Sequence, residues 1–260
     1  MAPPSEHAAA VVARLDGVVA LHLTVIAAQW ILPGLRGLRA EGDLSGFDPF
    51  AGQDLMVPAQ TDAGPPRWRR YTVRRIDRAA GTIELWVTTD SEGPGARWAL
   101  DAAPGDMFEA VGPRGKVGLD GAATHHVFAV DASGLAAALA MADAAGPTGT
   151  SRLTALLDDA QLRTVADEPP SGGEFASLIE RGFFTSPEPF DADVRAAVID
   201  AREDPGVDDL AVYVFGELRL MRRITATLSE LGLDKARVRA KPYWRAGQAN
   251  QDHGEPDKSI

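Results

Sequence analysis

The 260-residue chain has no cysteine. Disulfides, thiolate metal sites, iron–sulfur clusters and cysteine nucleophiles are therefore excluded, and any redox work must come from a bound organic cofactor. Positive charge is also scarce, with 26 basic against 37 acidic groups and a net charge of -11. A phosphate-backbone partner normally meets a broad basic face, so no nucleic acid is expected. Repeats and low-complexity segments are absent. So is the glycine-x-serine-x-glycine pattern of a nucleophile elbow, for which Ser133-Gly134 is no substitute.

Gly17 to Leu35 carries no charge over 19 residues, but it contains His22, Thr24, Gln29 and Pro33. Leu21, Leu23 and Val25 alternate with His22 and Thr24, which predicts a half-buried strand and no membrane span. Met1 to His7 lacks the positive region of a secretory signal, so a cytoplasmic location is expected. Residues 1–10 read as a mobile leader.

What is present suits two ordinary domains, 1–120 and 121–260, with 45% hydrophobic residues to supply two cores. Against the acidic total, Arg67 to Arg78 gathers six arginines and one aspartate. Trp68, Arg70, Thr72 and Arg74 share one face of a strand there, and Arg69, Tyr71 and Val73 the other. Arginine forks hold phosphate oxygens, a tyrosine ring packs on a flat heterocycle, and a threonine hydroxyl both donates and accepts. A solvated strand with arginines on its open face is the plainer alternative. After the strand Thr82 to Thr88, Gly93-Pro94 opens a short Ala-rich helix to about Ala102. Its first-turn amides form a second anion site, although spacing alone does not make the two sites converge.

Gly52 to Pro58 is a further strand, and short strands with Gly, Pro and Asp punctuation argue for a small antiparallel barrel. Beyond Asp120 the pattern alternates. Strands are expected at His126–Val130, Arg152–Leu157, Leu162–Ala166 and Leu210–Phe215. Helices are expected at Ser133–Ala145, Glu174–Arg181, Asp191–Ala201 and Glu217–Leu231. Such alternation implies a mainly parallel sheet covered on both faces, with ligands at the carboxyl ends of its strands. His125 and His126 point to opposite faces of a strand, so a shared metal site is not expected.

Arg69-x-Tyr71-Thr72-x-Arg74, Gly93-Pro94-x-x-x-Trp98-Ala99, Pro104-Gly105-Asp106 and Gly112-Pro113-Arg114-Gly115 resemble the flavin domain of the siderophore-interacting proteins. These are NAD(P)H-dependent ferric-siderophore reductases of the ferredoxin-reductase superfamily. The resemblance continues at Phe215-Gly216-Glu217 and Tyr243-Trp244-Arg245-x-Gly247, covering roughly residues 31 to 247. It implies an N-terminal antiparallel FAD-binding β-barrel followed by a C-terminal three-layer α/β domain of nucleotide-binding type.

By the same resemblance, Arg69 meets the FAD pyrophosphate, Tyr71 packs on the isoalloxazine or ribityl portion, Thr72 reaches the N5 region and Arg74 adds charge. Tyr71 and Thr72 are thus the candidate catalytic positions. Gly93, Pro94, Gly95 and Ala96 present the diphosphate turn, and Asp90 stands where the family has His-Gly. Asp131, Gly216 and Glu217 fall on the nicotinamide side, and Tyr243 and Trp244 near the flavin. Trp98 reads as core packing.

The family opens its second domain with a motif like Gly-Asp-Glu-Thr-Ala-Leu-Pro-Ala, where this chain has Val130-Asp131-Ala132-Ser133-Gly134-Leu135-Ala136-Ala137. A branched Val130 and the lost proline at Ala136 predict a hindered nicotinamide loop and slow reduction by NADPH. The implied activity is FAD-dependent, NAD(P)H-linked reduction of a ferric siderophore. The alternative is recruitment to another reaction on a biosynthetic intermediate, with the flavin kept or lost.

Overall fold

The computed structural model describes residues 4–60, 66–146, 149–167, 178, 180–204 and 209–247, and the chain divides into two compact units, Met1–Gly118 and Leu119–Ile260. Among the described residues no helix is long and apolar enough to cross a membrane.

The first unit is a closed barrel of six strands: β1 Val19–Leu32, β2 Leu35–Gly42, β3 Asp54–Ala59, β4 Arg67–Asp77, β5 Thr82–Thr88 and β6 Met107–Arg114. Their order is β1-β2-β5-β4-β3-β6, every pairing is antiparallel, and β6 returns to β1. Closure leaves no unpaired sheet edge. The alternation at the start of β1 is realised: Leu21, Leu23 and Val25 are no more than 2% exposed, while His22 and Thr24 are half-buried. Burying each such side chain is worth about 2 kcal/mol. Leu21 and Leu23 meet Leu55, Val57, Val73, Ile83 and Leu85 from the strands opposite.

The leader expected at residues 1–10 is, from Ser5 on, a helix with its cap. Helix α1 spans Glu6–Val12, Ser5 accepts a hydrogen bond from the Ala8 amide, and the Ser5 amide donates to Glu109 at 2.8 Å. Ala8 is fully buried with Met56, Val111 and Val18, and His7 stacks on Trp68 at 5.4 Å. Residues 1–3 lie outside the described residues. Helix α2, Pro94–Asp101, forms as expected, with proline in its first turn and Gly95, Ala96 and Ala99 buried.

The second unit carries five parallel strands: β7 His125–Asp131, β8 Thr150–Leu156, β9 Glu180–Phe184, β10 Leu210–Glu217 and β11 Val238–Trp244, in the order β11-β10-β7-β8-β9. Val127, Ala129, Val212 and Val214 pack against α5 (Pro187–Glu203) and α6 (Leu218–Glu230) on one face. Helix α3, Leu135–Ala145, contacts β7 and β8, and Gly134 just before it lies against Val130 and Phe215 of the other face. The result is three layers.

Two expectations fail here. Leu162–Ala166 belongs to helix α4, Asp159–Asp167, because Asp158 and Gln161 exchange amide-to-side-chain hydrogen bonds of 3.1 and 2.8 Å as a reciprocal helix start. Of the helix expected at Glu174–Arg181, residues 174–177 and 179 lie outside the described residues, and Glu180 and Arg181 pair with β8 at the start of β9.

His126 is 1% exposed, with Nδ1 3.3 Å from the hydroxyl of Tyr213, which accepts from the Asp120 amide at 2.8 Å. Desolvation lowers its pKa, His125 lowers it further, and Asp120 opposes both. The fold therefore prefers neutral His126, whereas the unfolded chain protonates near pH 6.5. Stability should be full above that value and fall as the pH drops below it. Urea midpoints at pH 7.5 and 5.5 should show a smaller difference in His126→Phe than in the wild type; an unchanged difference would assign the slope elsewhere.

Candidate functional site

The arginine strand is fixed by a group that the sequence reading did not single out. Asp54 of β3, 2% exposed, pairs with Thr72 in the register of β3 and β4. Its carboxylate accepts from Arg70 Nε at 3.0 Å and from Thr72 Oγ1 at 3.1 Å, with Arg70 Nη2 2.9 Å away. A buried carboxylate in an apolar strand is stable only when paired and hydrogen-bonded. A lone acid in Asp54-Leu55-Met56-Val57 was the available signal. Thr72 thus spends its hydroxyl proton on Asp54.

With Arg70 and Thr72 turned to Asp54, alternation sends Arg69 and Tyr71 to the other side. Both reach the first turn of α2. A Cβ built on Gly95 would lie 3.3 Å from Arg69 Cγ and would overlap the Tyr71 hydroxyl, so only glycine fits. Gly93 is the N-cap, and no side chain caps the turn. The leading amides of a helix lack intrahelical partners and carry the positive end of its dipole. The two anion sites that spacing could not join are therefore adjacent: a guanidinium stem and a run of backbone donors. This donor set fits the diphosphate of a dinucleotide.

The remaining expected residues divide. Tyr71 stacks on Trp98 at 5.4 Å and 17°, and burial raises its pKa, so it stays a neutral phenol. Trp98 meets Phe108 edge-on at 5.4 Å, consistent with its core reading. Arg74 is 2% exposed with its guanidinium over the Trp86 ring at 5.4 Å, so its charge serves the barrel wall rather than an open phosphate site. Asp90 lies against Gly34 in the β1–β2 turn. That carboxylate offers no donor to a phosphate.

In the second unit, the chain runs outward from β7 through β8 to β9 and returns to β10 on the other flank of β7. The carboxyl ends of β7 and β10 thus form the switch point at which such sheets bind ligands. Asp131, Gly216 and Glu217 stand there. The Asp131 carboxylate accepts from the Ser133 amide at 2.8 Å, the Glu217 amide at 2.8 Å and Trp244 Nε1 at 2.9 Å. Desolvation raises its pKa against these hydrogen bonds. Gly216 has φ +135° and packs directly on that carboxylate, where a side chain could not fit. Glu217 caps α6, Tyr243 stacks on Phe215 at 5.6 Å, and Trp244 is pinned yet 45% exposed. Among the described residues no cluster of three or more His, Asp or Glu suits a metal ion.

Val130 and Ala136, the two departures at the nicotinamide loop, both lie in the core of the second unit. Val130 is fully buried, with Cβ 2.8 Å from where a Cβ on Gly134 would stand, and Ala136 is 2% exposed within α3. The valine occupies space released by Gly134, inside the sheet–helix layer.

A model of the siderophore-interacting FAD-binding domain matches residues 47–117, and one of the siderophore-interacting protein matches residues 123–247. The chain is 24% identical over 191 residues to the ferric vibriobactin reductase ViuB of Vibrio cholerae, covering 72% of this chain and 68% of that protein. A siderophore utilization protein from T. fusca superposes with a TM-score of 0.70 at 26% identity, covering 92% of this chain and 97% of the other. The cytochrome P450 reductase GcoB of Amycolatopsis shares the fold at a TM-score of 0.65 and 17% identity, over 87% and 70% of the two chains.

Gly134 is the sharpest test of the exchanged volumes. Gly134→Ala would set a methyl group 2.8 Å from Val130 Cβ and 3.0 Å from Phe215 Cβ and carbonyl oxygen. A loss of about 1 to 3 kcal/mol is expected. In a Val130→Gly background the same change should cost less, a coupling that a double-mutant cycle of urea midpoints would read. Additive losses would mean that Phe215 alone excludes the methyl.

Proposed function

The chain belongs to the siderophore-interacting protein family, and from that membership we propose that it is an FAD-dependent reductase that takes hydride from NAD(P)H and delivers electrons to a ferric siderophore. The observation that carries the reading is the adjacency of Arg69 to the uncapped first turn of α2. The first unit is the FAD-binding domain and the second the nicotinamide-nucleotide domain. Bound flavin supplies the conversion of one two-electron donor into two one-electron steps. One NAD(P)H thus reduces two ferric chelates to the ferrous state and releases one proton. The iron enters within its chelator, as substrate.

The chain's own residues bind and orient. Arg69 and the amides of Gly95 and Ala96 hold the diphosphate. Tyr71, kept neutral, would back the flavin, and Thr72, fixed by its hydrogen bond to Asp54, would stand beside the flavin ring. The second unit takes the nicotinamide nucleotide at the carboxyl ends of β7 and β10, with the exposed ring of Trp244 as a flat surface. Val130 and Ala136, which motivated a recruited, non-reducing relative, are both buried. That supports reduction by NAD(P)H. The reaction belongs in the cytoplasm, where reduced nicotinamides are supplied.

Arg69→Ala should weaken FAD about ten- to a hundredfold, the worth of a charge-assisted hydrogen bond of roughly 1.5 to 3 kcal/mol. Arg78, which donates to the Phe47 carbonyl at 2.7 Å and pairs with Asp48 at 2.5 Å, serves as the control, and Arg78→Ala should leave FAD binding nearly unchanged. Flavin fluorescence titration measures both, and equal losses would point to generic charge. Anaerobic NADPH should bleach the loaded protein and a ferric siderophore should restore its colour. A flavin that stays oxidised with both nicotinamides would sink the reductase reading.

A further inference from the structure

One face of the second sheet carries an unbroken column of aromatic rings. Tyr243 of β11 stacks on Phe215 of β10 with centroids 5.6 Å apart and planes 1° from parallel. Phe215 lies 6.3 Å from Tyr213, two residues back on the same strand, and Tyr213 lies 4.8 Å from Phe128 and 5.9 Å from His126, both of β7. The column starts at the carboxyl ends of the strands, where Tyr243 precedes the exposed Trp244, and ends at the amino end beside Asp120. Apolar packing accounts for the two phenylalanines. It does not account for Tyr213 and His126, which are 0% and 1% exposed, because burying a hydroxyl and an imidazole costs free energy that two further phenylalanines would avoid.

The Tyr213 oxygen accepts from the Asp120 amide at 2.8 Å, so its one proton goes to the other partner, His126 Nδ1 at 3.3 Å. His126 therefore carries its ring proton on Nε2 and offers Nδ1 as a base. Burial keeps the phenol protonated and the imidazole neutral. The resting pair thus holds its proton on oxygen, with a base in line to receive it when the ring loses an electron. The Asp120 carboxylate, held by Arg239 at 2.7 Å, favours the resulting imidazolium, against His125. At the other end of the column, Lys241 Nζ stands 5.2 Å from the Tyr243 ring centroid and disfavours a positive charge there. An electron vacancy is therefore driven inward, from Tyr243 to Tyr213.

We propose that Tyr213 and His126 form a proton-coupled redox pair, joined through Phe215 and Tyr243 to the carboxyl end of the sheet, that clears one-electron oxidation from Trp244. The oxidants are oxygen radicals of the kind that ferrous iron makes from peroxide; that source rests on the reductase reading, whereas the pair itself does not. A hydroxyl radical takes one electron from the exposed Trp244 and leaves as hydroxide. One electron from Tyr213, passed by Phe215 and Tyr243, restores the indole, whose N–H stays on Asp131. The Tyr213 O–H bond breaks, its proton forms an N–H bond at His126 Nδ1, and a neutral phenoxyl radical faces an imidazolium. A small reductant of the ascorbate class then returns one electron, and His126 returns the proton. Damage at an exposed ring of the nucleotide end is thereby moved to a buried ring that can be restored.

The chain has three tyrosines, which makes the radical assignable. Oxidation of the full chain by a photo-oxidised ruthenium polypyridyl complex, followed by freeze-quench EPR, should give a long-lived neutral tyrosyl radical that is lost in Tyr213→Phe. Tyr243→Phe should slow its growth without moving it. His126→Gln keeps an acceptor for the phenol but no base, and should slow Tyr213 oxidation about a hundredfold, the worth of a positioned proton acceptor. Growth of the wild-type radical should also be slower in D2O, a readout that needs no variant and that a merely structural hydrogen bond would not give. With ferrous salt and peroxide in place of ruthenium, peptide mass spectrometry should find more oxidised Trp244 in Tyr213→Phe than in the wild type. A long-lived signal that survives Tyr213→Phe overturns the proposal. So do equal rates in the wild type and His126→Gln, the absence of an isotope effect, or equal damage at Trp244 in the two proteins. These measurements need neither flavin nor nicotinamide, so their outcome is separate from that of the reductase reading.

Discussion

The carboxylate of Asp54 sets the geometry on which the first unit's chemistry depends. Removing a carboxylate from water costs several kcal/mol unless partners repay it. Here they do so from the adjacent strand, where Arg70 and Thr72 both reach it. Two contacts two residues apart on one strand leave no freedom of register, since a slip by one residue would exchange every inward and outward side chain. Arg69 and Tyr71 are consequently committed to the side of α2. The anion site is thus specified by residues that never touch the anion.

Much of this architecture was legible in local pattern. β1 and β4 announce themselves by period-two alternation, and α2 by a proline at its first position. The parallel sheet followed from alternating element types. What stayed hidden was either short or long-range. Helix α1 is only seven residues, too brief for periodicity, although Ser5 before Glu6-His7-Ala8 carried a cap signal. Helix α4 has a short apolar run that suits either element, and only Asp158 and Gln161, three apart, distinguish it.

The site was legible to the same depth. Motif residues named Arg69, Tyr71, Thr72 and the Gly93 turn, but side-chain direction depends on partners distant in sequence. Asp54 is 18 residues from Thr72, and Asp131 is 113 residues from Trp244. Arg74 and Asp90 stand in the motif, and only the fold sets Arg74 beside Trp86 and Asp90 beside Gly34. Val130 likewise depends on a partner outside its own position. A single departure from a family pattern reads as a block, whereas the pair Val130 and Gly134 reads as an exchange of volume across one layer.

Each unit also joins its first strand to one made much later. Leu21 pairs with Ala110 in the barrel, and Val127 with Val212 in the parallel sheet, separations of about 85 to 90 residues. At translation speeds of roughly 5 to 20 residues per second, each opening strand waits on the order of ten seconds for its partner. The barrel completes its circle at β6, before any of the second sheet has been made. The sheet is different, because its first strand, β7, becomes central only when β10 arrives, and until then an apolar flank is exposed on the growing chain. The carboxyl end of that flank, where Asp131 awaits the Glu217 amide, therefore forms only once β10 is made, so a ribosome-bound chain has a finished barrel well before that end of the sheet is complete.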